Sequence, residues 1–219
     1  MKDDQVNNCY KKDRKKMLTV DLVGRGITDP RVLNAMENVP RHLFISREKR
    51  NESYADRALP IEEGQTISQP YIVAFTAQAL SIEPGSQVLE IGTGSGYAAA
   101  ILAEMQAKVV TIERSSFLAS KARNLLNSLG YKQIEVIEGD GSVGLLDRAP
   151  FDAISVSAAA PSVPEPLVQQ LADGGRLVVP VGKKQFDQKL IQISRQGKSI
   201  RTQELLSVVF VPLLGEAGW

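Results

Sequence analysis

From residue 84 onward, short apolar runs alternate with longer segments whose apolar positions recur at helical spacing. The runs read as buried strands at Gln87 to Ile91, Lys108 to Glu113, Ile134 to Ile137, Phe151 to Val156 and Arg176 to Val181. Leu190 to Ser194 and Val208 to Val211 read as two closing strands. Helices are predicted between them over Tyr97 to Met105, Leu118 to Leu129 with Gly130 as C-cap, and Glu165 to Leu171. Upstream, Asp29-Pro30 supplies a cap and a first-turn proline to a helix with Val32, Leu33 and Met36 on its apolar face, which Pro40 closes. Gln69-Pro70 opens another, with Ile72, Val73, Ala77 and Leu80 at helical spacing. The alternation predicts an α/β fold: a mostly parallel seven-stranded sheet with helices on both faces and a helical N-terminal extension. One domain is expected, its helical part at 1–83 and its sheet core at 84–219. In such sheets ligands bind at the carboxyl ends of the strands.

The strongest local signal is Val88-Leu89-Glu90-Ile91-Gly92-Thr93-Gly94-Ser95-Gly96-Tyr97, a strand running through a glycine-rich turn into a helix. Alone it is also what a tight strand–helix turn needs. Three details narrow it to a nucleoside cofactor in a Rossmann-like pocket. Tyr97 stands where the dinucleotide pattern wants its third glycine. Glu90 sits at the strand end, where a carboxylate repels pyrophosphate but attracts a sulfonium and an ammonium. Glu113 ends the next strand, placed to accept hydrogen bonds from ribose hydroxyls. Either acid alone reads equally as a surface residue; the pair points to S-adenosylmethionine and a class I methyltransferase fold. Asp140-Gly141 follows the third strand. It suits an acceptor for the adenine amino group beside a thin wall, and equally a plain Asp-Gly turn.

Composition adds exclusions. The chain has 219 residues, 43% hydrophobic and 23% charged, with a net charge of +1. That balance supplies no strong field toward nucleic acid or an acidic membrane, and no apolar run is long enough to span one. A polar N-terminus without a signal core, and the single Cys9, fit a cytoplasmic protein. The basic cluster at Lys11, Lys12, Arg14, Lys15 and Lys16 reads as a solvated first segment, because no aromatic platform follows it. No Cys/His spacing suits a metal, so none is expected. His42 reads as a hydrogen-bonded strut. A monomer is expected, although near-zero charge suits a dimer equally.

Arg57-Ala58-Leu59-Pro60-Ile61, followed by Gly64-Gln65-Thr66-Ile67-Ser68-Gln69-Pro70-Tyr71, resembles the signature block of protein-L-isoaspartate O-methyltransferases. Similarity continues upstream through Arg25-Gly26-Ile27, Asp29 to Leu33 and Val39 to Phe44. Downstream it runs through the glycine loop, Ala158 to Pro161 and Gly174 to Gly182. The resemblance implies methyl transfer from S-adenosylmethionine to the free carboxylate of L-isoaspartyl residues in damaged proteins and peptides, giving an ester that closes to succinimide. It implies a catalytic Ser68, substrate contacts at Thr66, Ile67 and Ser68, and cofactor contacts at Gly92, Thr93, Gly94, Glu113, Asp140 and Gly141; Glu90 joins them as the acid read at the strand end. Leu213 and Leu214 depart from relatives that carry a polar residue in the tail.

The chemistry agrees. A carboxylate is already ionised at pH 7, so it attacks an activated methyl without a general base. The protein's task is positioning and exclusion of water. From residue type alone Ser68 reads as a helix cap; within its block it reads as a donor that orients the substrate. The alternative is another Rossmann-like methyltransferase acting on RNA or a small molecule, which would not need the Gly64 to Pro70 block. A dinucleotide oxidoreductase would bind nicotinamide. A non-catalytic module could lose Ser68 or Glu113 without penalty.

Overall fold

The computed structural model describes residues 10–183 and 187–219. Cys9 and the rest of the first nine residues lie outside them. Helix α1 covers residues 10–16 and continues as a π-helix at Met17–Leu22. Helix α2 (Pro30–Asn38) begins where the sequence places it: Asp29 accepts a hydrogen bond from the Arg31 amide, and Pro30 occupies the first turn. Val32, Ala35 and Met36 are buried one turn apart. A small hairpin, β1 (Leu59–Pro60) with β2 (Thr66–Ile67), precedes helix α3 (Pro70–Leu80).

The main sheet holds β3 (Gln87–Ile91), β4 (Lys108–Glu113), β5 (Glu135–Glu138), β6 (Phe151–Val156), β7 (Leu171–Gly182), β8 (Gln188–Gln196) and β9 (Ser199–Val208). Helices α4 (Tyr97–Glu104), α5 (Ser116–Ser128) and α6 (Glu165–Gln169) connect its parallel part. The strand order is β5-β4-β3-β6-β7-β8-β9. The first five strands run parallel, and β8 and β9 return as antiparallel neighbours. The order reverses between β3 and β6, so a crevice opens at their carboxyl ends.

Strand alternation divides the interior in two. Val88, Val109, Ala153 and Val178 join the core beneath α3, α4, α5 and the N-terminal layer. Leu89, Ile91, Ile112, Ile154 and Val156 join the core beneath α6. On the first of these faces the apolar rows stop short of the crevice. Glu90 pairs in register with Thr111 on one side and with Ser155 on the other, making a buried polar row.

Two predicted elements move. The last strand is Ser199–Val208, not Val208 to Val211. It is an exposed edge strand rich in polar residues, so it lacks the apolar pattern that marks a buried one. The helix expected to reach Leu171 ends at Gln169; Leu171 instead opens β7, opposite Phe151. Beyond β9 the chain returns toward the crevice, where Pro212 bridges Ala159.

Candidate active site

A cavity of about 520 Å³ lies at the carboxyl ends of β3, β4 and β6. It is the size of a small-ligand site. The glycine loop, Glu113, the segment from Gln65 to Ser68 and the tail from Phe210 to Leu214 all line it. Of the residues read from the sequence, Gly92, Thr93, Gly94, Glu113 and Gly141 on the cofactor side and Thr66, Ile67 and Ser68 on the substrate side line this one space; Glu90 and Asp140 do not.

Gly92, Gly94 and Gly96 all have positive φ, at 90°, 53° and 85°. Gly94 illustrates why: the turn aims its amide at Oε2 of Glu113, 2.9 Å away, and a side chain would strain that φ. Oε1 of Glu113 accepts from the Ser115 amide at 3.0 Å, and the Ser115 hydroxyl caps α5. Each carboxylate oxygen has one backbone partner and keeps lone-pair capacity toward the cavity. That is the acceptor pair a ribose diol requires.

Glu90 lies one layer deeper. It is fully buried and does not line the cavity. Oε2 accepts from the Thr111 hydroxyl at 2.6 Å, and Thr111 lies 2.7 Å from the Thr93 hydroxyl. Oε1 has no partner. Burial pushes the Glu90 carboxyl up to about 8; the Thr111 bond opposes this and the nearby charge of Glu113 adds to it. A cation brought close to this carboxyl would favour its ionised form.

Gly141 lines the cavity, and a β-carbon there would lie 2.6 Å from Ile91 Cγ2. Asp140 does not line it. Its Oδ1 accepts from the amide and hydroxyl of Ser142, at 2.9 and 2.7 Å, and Oδ2 accepts from the amide of Glu216 at 2.8 Å. The tail is tied down further by Ala217 on the Ser142 hydroxyl and by the Trp219 indole on the Ala159 carbonyl. Burial acts to raise the Asp140 carboxyl, but the bonds from Glu216 and Ser142 together outweigh it and hold its pKa below the ordinary value.

The same cavity is lined by Thr66, Ile67 and Ser68. The β1–β2 pairing of Leu59 with Ile67 sets their register. Asp56 fixes the start of α3, accepting from the Tyr71 amide at 3.1 Å and from Gln69 Nε2 at 2.6 Å, and pairs with Arg25 at 2.6 Å. The cap of α3 is Gln69 and lacks a side-chain cap bond, so the Ser68 hydroxyl is not the helix cap. Among the described residues that hydroxyl makes no hydrogen bond.

Sequence reasoning missed Thr111 and Ser155, whose role comes from register across strands. It also missed the cavity-lining Phe117, which is half exposed at the rim. His42 lies outside the cavity: its Nδ1 is 2.9 Å from the Tyr54 hydroxyl and its ring stacks on Tyr10. Arg14, from the basic cluster, is not simply solvated but donates to Tyr54 and to the Glu37 carbonyl. Among the described residues no cluster of three or more His, Cys, Asp or Glu is arranged to hold a metal, and no helix is long and apolar enough to cross a membrane.

The family model described as Protein-L-isoaspartate(D-aspartate) O-methyltransferase matches residues 12–218. A protein-L-isoaspartate O-methyltransferase 2 of Pelobacter propionicus is 53% identical over 207 residues, covering 94% of this chain and 92% of its own. A protein-L-isoaspartate O-methyltransferase of Herpetosiphon aurantiacus is 50% identical over 98% of this chain and 95% of its own. A solved protein-L-isoaspartate O-methyltransferase superposes with a TM-score of 0.84 at 28% identity, covering 94% of this chain and 67% of that one. A Plasmodium falciparum crystal structure, described as such a methyltransferase in complex with S-adenosyl-L-homocysteine, superposes with a TM-score of 0.77 at 28% identity. It covers 92% of this chain and 98% of that one.

Proposed function

The chain belongs to the protein-L-isoaspartate(D-aspartate) O-methyltransferase family, and we propose that Ser68 and its block hold the substrate while Glu113 and the glycine loop hold the methyl donor. The enzyme transfers a methyl group from S-adenosylmethionine to the free α-carboxylate of L-isoaspartyl residues in damaged proteins and peptides. The ester then closes to a succinimide with loss of methanol, and hydrolysis of the succinimide partly restores normal aspartate. One observation carries the residue assignment: the Gln65 to Ser68 segment and the glycine loop line the same cavity.

S-adenosylmethionine supplies a methyl carbon made electrophilic by its sulfonium. The chain's own residues do the rest. Glu113 receives the ribose hydroxyls, already oriented by the amides of Gly94 and Ser115. Gly92, Thr93 and Gly94 give the backbone a close approach, and Glu90 supports the cationic end from beneath. Gly141 thins the wall at the adenine, where Ile112 also lines the cavity. Asp140 accepts the adenine amino group only by sharing an oxygen that Ser142 or Glu216 already uses. Ser68 donates its free hydroxyl to one oxygen of the substrate carboxylate, leaving the other to attack. Thr66 and Ile67 set the backbone edge along which the substrate lies. No general base is needed. The residues present need no metal for this assignment. A soluble monomer meeting unfolded or peptide substrates is the working picture.

Incubation with labelled S-adenosylmethionine and paired peptides, one isoaspartyl and one aspartyl, tests the assignment. Label should enter the first alone; equal labelling of both would overturn it.

A further inference from the structure

Behind Ser68 stands a buried cation. Arg41, on the 3₁₀ turn Arg41–Phe44, is wholly withdrawn from solvent. Its Nε donates to the Ser53 carbonyl at 2.7 Å, and its Nη2 donates to the Ser68 carbonyl at 2.7 Å. Its guanidinium carbon lies 4.7 Å from the centre of the Tyr97 ring. Ser68 and Tyr97 both line the cavity, so the guanidinium is one residue layer behind the wall.

Among the described residues, Nη1 is buried and has no hydrogen-bond partner. Among the described residues no carboxylate forms an ion pair with Arg41. Asp56, the acid whose field reaches it, is already engaged by Arg25, Gln69 and the Tyr71 amide. Burial lowers the guanidinium's pKa, with the Tyr97 phenol opposing, yet an arginine keeps its charge in a protein. A strut joining three backbone segments would need the two carbonyl bonds only. An uncompensated buried charge is an added penalty, which an arriving anion offsets.

We propose that Arg41 is a positioning residue for the methyl-accepting group: it fixes the Ser68 backbone and supplies the positive potential that makes this wall select a carboxylate over its uncharged amide. The inference rests on the isoaspartyl reading of the cavity. Thr66, Ile67 and Ser68 are neutral, and the other cation that lines the cavity, Arg114, follows Glu113 at the end of β4 and donates to the Leu214 carbonyl, so Arg41 is the cation tied to this segment.

The test is peptide binding to enzyme saturated with S-adenosylhomocysteine, using an isoaspartyl peptide and the same peptide with its free carboxylate converted to the carboxamide. Wild type should prefer the acid by about ten-fold or more. Arg41→Met should bring that ratio close to one with S-adenosylhomocysteine affinity kept. Arg41→Lys keeps the charge but cannot hold both carbonyls, so it should keep the preference while kcat falls by about ten-fold. Thermal melts report folding. An unchanged acid preference in folded Arg41→Met overturns the proposal. If that variant does not fold, wild-type kcat and KM in Arg41→Lys overturn it instead. Failure of the wild type to methylate the isoaspartyl peptide is a different result, and it removes the functional reading itself.

Discussion

Thr111 donates its hydroxyl hydrogen to Oε2 of Glu90 at 2.6 Å, across a register that sets the two residues side by side on β4 and β3. The other oxygen has no partner, and burial raises the carboxyl's pKa to about 8. At neutral pH the ligand-free enzyme therefore holds Glu90 protonated. A sulfonium and an ammonium arriving nearby favour the ionised form. Uptake of S-adenosylmethionine at pH 7 should release up to about one proton. Calorimetry in buffers of different ionisation enthalpy measures this directly. Glu90→Gln should bind more weakly and release none; a buffer-independent enthalpy in wild type would remove Glu90 from the cationic end.

The same shift fixes a stability slope. Glu90 has a folded pKa raised above its unfolded value, so the folded state binds more protons between about pH 4.5 and 8. The contribution is fully present below pH 4.5 and is lost as pH rises through 8. Glu90→Gln cannot ionise and escapes this loss. Its ligand-free melting temperature, relative to wild type, should rise between pH 5 and pH 8.5. A constant difference across that range would mean that the carboxyl titrates normally.

Glu113 offers a cleaner binding test, because it lines the cavity and each of its oxygens is held by one backbone amide. Glu113→Ala removes the acceptors for ribose and should weaken S-adenosylhomocysteine binding by about 1.5–3 kcal/mol, the range for hydrogen bonds to a charged group. It also frees the amides of Gly94 and Ser115. Glu113→Gln, which keeps one carbonyl oxygen, should lose less than Ala. Unchanged affinity in both variants, measured by calorimetry, would take the residue out of the site.

Much of this geometry was legible in the sequence, and the exceptions have physical reasons. The parallel strands and the helices between them follow from apolar periodicity, because both faces of the sheet are covered. Edge strand β9 is exposed over its first six residues, and its polar run Arg201-Thr202-Gln203-Glu204 carries no burial signal, while Leu205, Leu206 and Val208 reach the core. Glu90 is legible as an acid next to a glycine loop. Its depth is not, because depth depends on Thr111 and Ser155 standing opposite it in register. Asp140 is legible as a loop acid, but nothing local announces that a tail seventy-odd residues away will donate the Glu216 amide to it. Ser68 is a case of position without depth: local sequence gives the block, while the remote Arg41 and Asp56 hold it.

His42 is placed to test whether turnover needs a base. Burial first, and then the charges of Arg14 and Arg50, push its pKa down to about 4. Its folded pKa is depressed, so its contribution to stability is present above about pH 6.5 and is lost as pH falls toward 4. Activity should show no step near pH 6.5, and His42→Gln should keep most turnover. The variant should also flatten the acid limb of the stability curve between pH 6.5 and 4. A drop in kcat of about 10²-fold with cofactor affinity intact would instead make His42 catalytic.

Ser68 joins substrate choice to mechanism. Its hydroxyl is neither the cap of α3 nor bonded to another described residue, and Ser68 lines the cavity together with the glycine loop. An isoaspartyl residue carries its free α-carboxylate on a backbone lengthened by one methylene; an aspartyl residue offers a β-carboxylate in another direction. The wall against which either must fit is held by hairpin register, by Arg41 on the Ser68 carbonyl and by Asp56 on the next turn. A wall so held does not follow the wrong substrate, and misplacing the attacking oxygen by about 1 Å can cost about 10²-fold in rate. Ser68→Ala should therefore lower kcat for the isoaspartyl peptide by about ten-fold or more, the worth of one hydrogen bond to a charged group. S-adenosylhomocysteine affinity should stay within about two-fold, because no cofactor contact is removed. Ser68→Thr keeps the hydroxyl and should recover part of the rate. Steady-state kinetics and calorimetry on the three proteins decide it: wild-type turnover in Ser68→Ala would leave the hydroxyl without a role, and parallel loss of cofactor affinity would point to a collapsed wall.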